Sequence, residues 1–317
     1  MSLTISGSTY AGEFAGKYIA AALLSAPTLE KGGLTIHPNV KFKQVIQRVA
    51  TGNVVANASC DFSDSTTVTL TERVLAPEEF QVNLQLCALT LAANWQATEM
   101  GYSAYNSIPK SFEDFVLAHV AEKVASSMET TIWTGANATA GQFDGISTQI
   151  ALDANLPAAQ EIAAVGGGVL ASNVVAQLGL IVDAIPARLY GQEDLKLYVS
   201  QNIYKAYVRA LGGFGASGVG ANGYDNKGTN QVLGDVFFDG IQVFMANGLA
   251  ANTAIATPTS NLHFATGLLN EMNEARVIDM RPIDGSQNFR VIMRFTADAK
   301  YGFAEDIVTY GITNAAN

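Results

Sequence analysis

Over residues 10–26, YAGEFAGKYIAAALLSA, the apolar side chains Phe14, Tyr18, Ala21 and Ala22 recur at helical spacing, and Pro27 stops the pattern. That run predicts a short helix. The period then changes from 3.6 to 2. In GGLTIHPNVKFKQVIQRV (31–48), Val40, Phe42 and Val45-Ile46 alternate with Lys41, Lys43 and Gln44, which is a strand signal. A polar, turn-rich stretch follows and ends in a second alternating run at Val68-Thr69-Leu70-Thr71. Two extended arms around a polar tip make a long hairpin. The tip has few large apolar residues to bury, and a lone two-stranded ribbon is marginal in water. A neighbouring molecule is therefore expected to hold it.

Residues 80–92 alternate again through Phe80, Val82, Leu84 and Leu86, with Cys87 at the end as a small core residue. The clearest helix follows. Ser111 and Asp114 fit an N-terminal capping box, and Phe112, Phe115, Val116, Val120, Val124, Met128 and Ile132 recur every three or four residues. Glu113, Asp114, Glu122, Lys123, Ser126, Glu129 and Thr130 fill the other faces, and Gly135 is a stop. The spacing predicts one rod over 112–134, roughly 33 Å long.

Residues 152–171 are rich in Ala and Gly and read as a boundary. A helix over 173–190 ends or kinks at Pro186, a strand spans Leu195–Val199, and Ser200 caps a further helix closed by Gly212-Gly213. After a glycine-rich loop, strands Val232–Phe238 and Gly240–Phe244 are joined by the turn pair Asp239-Gly240. The segment from Asn288 to Tyr310 reads as two alternating strands around Asp298-Ala299-Lys300. Helices and strands do not alternate strictly, so the class is α+β.

Composition sharpens this picture. Charged residues are only 15% of the 317, so much of the surface is neutral, as on a face covered by other subunits or on a weakly charged ordinary globule. A formal net charge of −10 gives no broad cationic field for phosphates, which argues against sequence-specific nucleic-acid binding. Cys60 and Cys87 are too few for a disulfide framework or a four-cysteine zinc site, and read as reduced thiols. No basic and apolar leader and no apolar run of membrane-spanning length occur, so no membrane partner is expected.

Candidate chemistry is sparse. His37, His119 and His263 lie in three different elements and read as structural. Gly218-Val219-Gly220-Ala221-Asn222-Gly223 spells a dinucleotide fingerprint but lacks the preceding strand and following helix that would aim it at a pyrophosphate. No cofactor, metal or catalytic residue is expected. Charge is uneven along the hairpin: Lys41, Lys43 and Arg48 on the first arm face Asp61, Asp64 and Glu72 on the second. These six are candidates for contacts between subunits that set register more than affinity, or else for two solvated faces neutralising each other.

The order of these elements resembles the major capsid proteins of tailed bacteriophages, the Hong Kong 97-type fold. The carrying features are the short helix, the long hairpin, the rod, the segment SMETTIWTGANATAGQFDGI with its Gly145-Ile146 pair, the strand LKLYVSQNIY, Leu233-Gly234, and the strands around Tyr301. The resemblance implies an N-terminal arm over 1–32 and an extended E-loop over 33–72. It further implies a peripheral domain over 73–165 with the spine helix, an axial domain over 166–280, and return strands over 281–317. It implies no enzyme but a structural protein that assembles as pentamers and hexamers into an icosahedral head around double-stranded DNA. The expected partners are the chain itself, a separate scaffolding protein, a portal, decoration proteins, and encapsidated DNA held without sequence specificity. The expected location is the virion, after assembly in the host bacterial cytoplasm. No isopeptide crosslinks are expected. The alternatives are an encapsulin-like shell, or an α+β metabolic enzyme using the glycine loop at 212–223.

Overall fold

The computed structural model describes residues 26–40, 42–51, 55, 57, 60, 68–87, 110–212, 236–267, 275–286 and 288–315. The N-terminal helix expected over 10–26, the glycine fingerprint at 218–223 and most of the hairpin tip fall outside them. The described part begins with α1 (Pro27–Glu30). Pro27 starts this helix, because proline's fixed φ and missing N–H suit the first helical turn.

Strand β1 (Thr35–Pro38) is followed by Asn39 in the left-handed region at φ 62°, which breaks the run that the alternation suggested was continuous. Next come β2 (Gln44–Thr51), β3 (Val68–Leu75) and β4 (Glu78–Cys87). The rod is α2 (Lys110–Thr134). It already contains Ser111, so Ser111 lies in the first turn and not at the cap. A short α3 (Ile146–Ile150) packs beside its end.

The second half holds β5 (Glu161–Ile162), α4 (Val174–Asp183), β6 (Leu195–Val199), α5 (Gln201–Gly212), β7 (Val236–Phe238) and β8 (Ile241–Met245). Then come β9 (Ala254–Pro258), β10 (Leu262–Thr266), β11 (Ala275–Asp279), α6 (Arg281–Asp284), β12 (Asn288–Tyr301) and β13 (Val308–Tyr310). The Asp239-Gly240 turn is as expected, with φ 47° and 81° closing a two-residue hairpin between β7 and β8.

The strands sort into two sheets and a ribbon. In the first sheet β1, β10, β12 and β11 lie in that order, and β4 also pairs with β12. The second sheet runs β5-β13-β9-β6-β8-β7. The ribbon is β2 with β3 alone. β12 is one strand of 14 residues, not two around Asp298-Ala299-Lys300. The alternation persists through Asp298 and Lys300 because both reach partners outside the sheet: Asp298 accepts the Ala76 N–H at 2.9 Å, and Lys300 donates to the Val74 carbonyl at 2.9 Å. The sheets also draw strands from across the sequence boundaries: β10 and β11 belong to the first sheet, and β5 and β13 to the second. The run 152–171, read as a boundary, supplies edge strand β5.

One core lies between α2 and the first sheet, where Val124, Met128, Ile132, Val291, Met293 and Phe295 are buried. A second fills the other sheet and α4 and α5, with Leu178, Ile181, Leu197, Ile203 and Val243. Trp133 carries the first core onto the second sheet, its ring lying 5.3 Å from that of Tyr198 on β6. Glu129, placed by periodicity on an outer face, is buried there. Its carboxylate accepts the Thr28 N–H at 3.0 Å and the Thr28 hydroxyl at 2.5 Å, and the Trp133 indole donates to the same hydroxyl at 2.9 Å. A buried carboxylate needs such donors, and these tie the N-terminal segment to the rod.

The rod's end is a backbone joint. A methyl group at Gly135 would lie 2.4 Å from the Phe143 carbonyl oxygen, one at Gly145 would lie 2.6 Å from Gly135 N, and one at Gly248 would lie 2.0 Å from the Glu129 carbonyl oxygen. Only glycine allows these approaches. The hydroxyls of Ser147 and Thr148 donate to the carbonyls of Trp133 and Gly135, which satisfies the last groups of the helix.

Candidate functional site

The ribbon is the part of the described structure that its own core does not explain. Residues opposed in an antiparallel pair share a face. The register therefore places Gln44, Ile46, Arg48 and Ala50 with Leu75, Arg73, Thr71 and Thr69 on one face. Val45, Gln47, Val49 and Thr51 share the other with Val74, Glu72, Leu70 and Val68.

The first face rests on the chain's own body. Leu75 is fully buried and, with Ile46, packs against Val40 and Ala265. Arg73 forms an ion pair with Asp153 and lies over the Tyr301 ring at 4.4 Å. Burial pushes the Asp153 carboxyl up, but hydrogen bonds from Tyr301 and the Asn155 amide, together with Arg73, outweigh it and hold it below its ordinary range. Burial, with Asp153 beside it, raises the Tyr301 phenol. Farther along, Arg48 reaches Asp306 at 2.7 Å and lies 5.0 Å over the Phe303 ring. Asp306 is shared with Arg188, also at 2.7 Å.

The second face is the greasy one, and it is open. Val45 is 46% exposed, Val49 61%, Leu70 57% and Val68 66%. The chain thus turns Arg48 and Arg73 inward beside Ile46 and Leu75, and leaves a second aliphatic row outward.

Of the six charged candidates, Lys41, Asp61 and Asp64 lie outside the described residues. Lys43 and Glu72 are exposed, with Glu72 opposite Gln47 on the open face. Arg48 is engaged within its own chain by Asp306.

Sequence reasoning missed the residues that seat the ribbon: Asp153, Asp298, Lys300 and Asp306 come from segments more than 75 positions away from it. It also separated two histidines that the fold joins. His37 on β1 and His263 on β10 approach to 3.0 Å between Nε2 and Nδ1, and Gln44 Nε2 lies 3.1 Å from His37 Nδ1. Burial lowers His37. Burial, then neighbouring His37, brings His263 down to about 4.

Cys87 is exposed, not a core residue. The alternation that turns Phe80, Val82 and Leu86 toward the core puts odd positions on the opposite face. Among the described residues no group of three His, Cys, Asp or Glu could hold a metal ion, and no helix is long and apolar enough to cross a membrane.

No protein-family model matches the chain, and no curated protein does. Solved structures do match. The Satellite phage P4 procapsid that includes the size determination (Sid) protein aligns with TM-score 0.60 at 10% identity, over 98% of this chain and 94% of that one. The capsid of an empty GTA particle aligns with TM-score 0.58 at 12% identity, over 92% and 97%. The cyanophage A-1(L) capsid aligns with TM-score 0.56 at 12% identity, over 93% and 92%. At these coverages the chain has the Hong Kong 97-type fold of phage capsid proteins.

Proposed function

We propose that the chain is a major capsid protein, the repeating subunit of a closed icosahedral shell of the tailed-phage kind, assembled from pentamers and hexamers around double-stranded DNA. The observation that carries this is the row Val45, Val49, Leu70 and Val68, aliphatic and open on a ribbon whose other face is already occupied. Burying that row would stabilise contact by about 25 cal/mol per Å² of apolar surface removed from water. A copy of the chain is the natural partner. The ribbon and the surface that receives it then differ, and such head-to-tail contacts close into rings when the rotation permits. Lys43 and Glu72 flank the row and set register between copies. The resemblance adds a scaffolding protein, a portal and decoration proteins as partners, and the virion as the location.

Negative-stain microscopy and sedimentation of the purified chain test the proposal. Shells or capsomer rings are expected from the native chain, and folded monomers from Val49→Asp/Leu70→Asp. Shells of normal size from that variant, or a native chain that stays monomeric at any concentration, overturn it.

A further inference from the structure

We infer that His37, His263 and Gln44 form an acid-sensitive seat for the ribbon: two neutral rings hold the ribbon root on the first sheet, and protonated rings release it. The motion belongs to the single chain, while its consequence for assembly rests on the proposed shell role.

The hydrogen-bond arrangement has room for at most one added proton. The Gln44 amide nitrogen can only donate, so His37 Nδ1, 3.1 Å away, is the bare nitrogen. His37 then carries its hydrogen on Nε2 and donates it to His263 Nδ1 at 3.0 Å, which leaves the His263 hydrogen on Nε2. A second proton on His263 would meet the His37 N–H head-on. A second proton on His37 would meet the Gln44 amide, which can answer by turning its oxygen inward. One added proton is thus absorbed at His37 with Gln44 turned; with both rings protonated, N–H faces N–H across 3.0 Å and no rotation relieves it.

The position makes this matter. His37 closes the strand that leads into the ribbon, Gln44 opens the ribbon, and His263 is fixed in the body by its pairing with Lys300 in register. The charged groups around them favour release. Lys300 lies opposite His263 and reaches Val74 of the ribbon root. Arg73 is occupied by Asp153. Asp298, opposite Ala265, is the nearest counter-charge, and it accepts the Ala76 N–H. Burial raises the Asp298 carboxyl, and Glu78 at the start of β4 adds to that rise. Acid therefore weakens the negative charge while adding positive charge beside Lys300.

The exposed native thiols Cys60, on the ribbon side, and Cys87, at the end of β4, carry spin labels for a distance measurement by pulsed electron resonance. The native chain should give one narrow distance at pH 7.5 and a broadened, shifted one at pH 4.5. His37→Gln/His263→Gln should keep the neutral-pH distance at both. An unchanged native distance, or the same change in the double variant, overturns the inference. Where the double variant does not fold, ¹⁵N-histidine spectra of the native chain decide: ring protonation and the distance change must share one midpoint, and separate midpoints overturn it. Microscopy at neutral pH reads the shell role separately, since shells that form while the ribbon ignores acid sink only the seat.

Discussion

Two antiparallel ladders of similar length meet opposite fates in this molecule. β4 and β12 pair over ten positions, and one face of β12 buries Phe289, Val291, Met293, Phe295 and Ala297. β2 and β3 pair over eight, and the aliphatic face of their ribbon is left open. Backbone pairing is comparable in the two. What differs is the second layer: α2 covers β12, and nothing among the described residues covers the ribbon's Val and Leu row. Hydrogen-bonded strands alone hold a ribbon only marginally, and a packed face adds most of the stability. At the ribbon root the body adds charge to a small apolar contact, with Arg73, Asp298 and Lys300 beside Leu75 and Ile46.

The contrast can be broken at several points. The largest effect is expected from the covered ladder: Phe289→Ala should lower unfolding stability by about 3–5 kcal/mol in denaturant titration. A value under 1 kcal/mol would erase the distinction between the ladders. Acid comes next. His263 titrates at about 4 in the fold against 6.5 when unfolded, so its contribution is intact above pH 6.5 and lost as pH falls from there toward 4. Thermal melts across that window should lose on the order of 2–3 kcal/mol relative to His37→Gln/His263→Gln. Asp298, with its carboxyl raised, acts in the opposite sense and offsets part of the loss in both proteins.

Asp306→Ala leaves Arg48 and Arg188 facing each other, and should cost about 1 kcal/mol, less at high salt. Amide exchange in 44–51 and 68–75 should quicken selectively, and uniform quickening would argue against a latch. The smallest effect is expected on the open row: Leu70→Ser should change monomer stability by less than about 0.5 kcal/mol, as for other exposed sites. Sedimentation of the same variant checks whether assembly is nevertheless impaired.

What was legible in the sequence follows from periodicity. The alternation of Phe80 to Leu86, the rod through Val120, Val124, Met128 and Ile132, and the Asp239-Gly240 turn each declare their local geometry within a few residues. Partnerships across the chain do not. His37 and His263 are joined only because β1 lies parallel to β10 in one particular register. Glu129 did carry a signal, standing four positions before Trp133 on one helix face, but its Thr28 partner is a hundred residues away. Cys87 could have been assigned correctly by counting parity from Leu86. The candidate site was half legible: the aliphatic positions of the ribbon show in its alternation, whereas which face is offered depends on where Arg48 and Arg73 find their acids.

The joint where Gly135, Gly145 and Gly248 press backbone against backbone has a mechanical consequence. A side chain added at any of the three would wedge the rod's end away from the segments that hold it, so the seat of the rod is set by backbone contact and cannot be re-tuned by substitution.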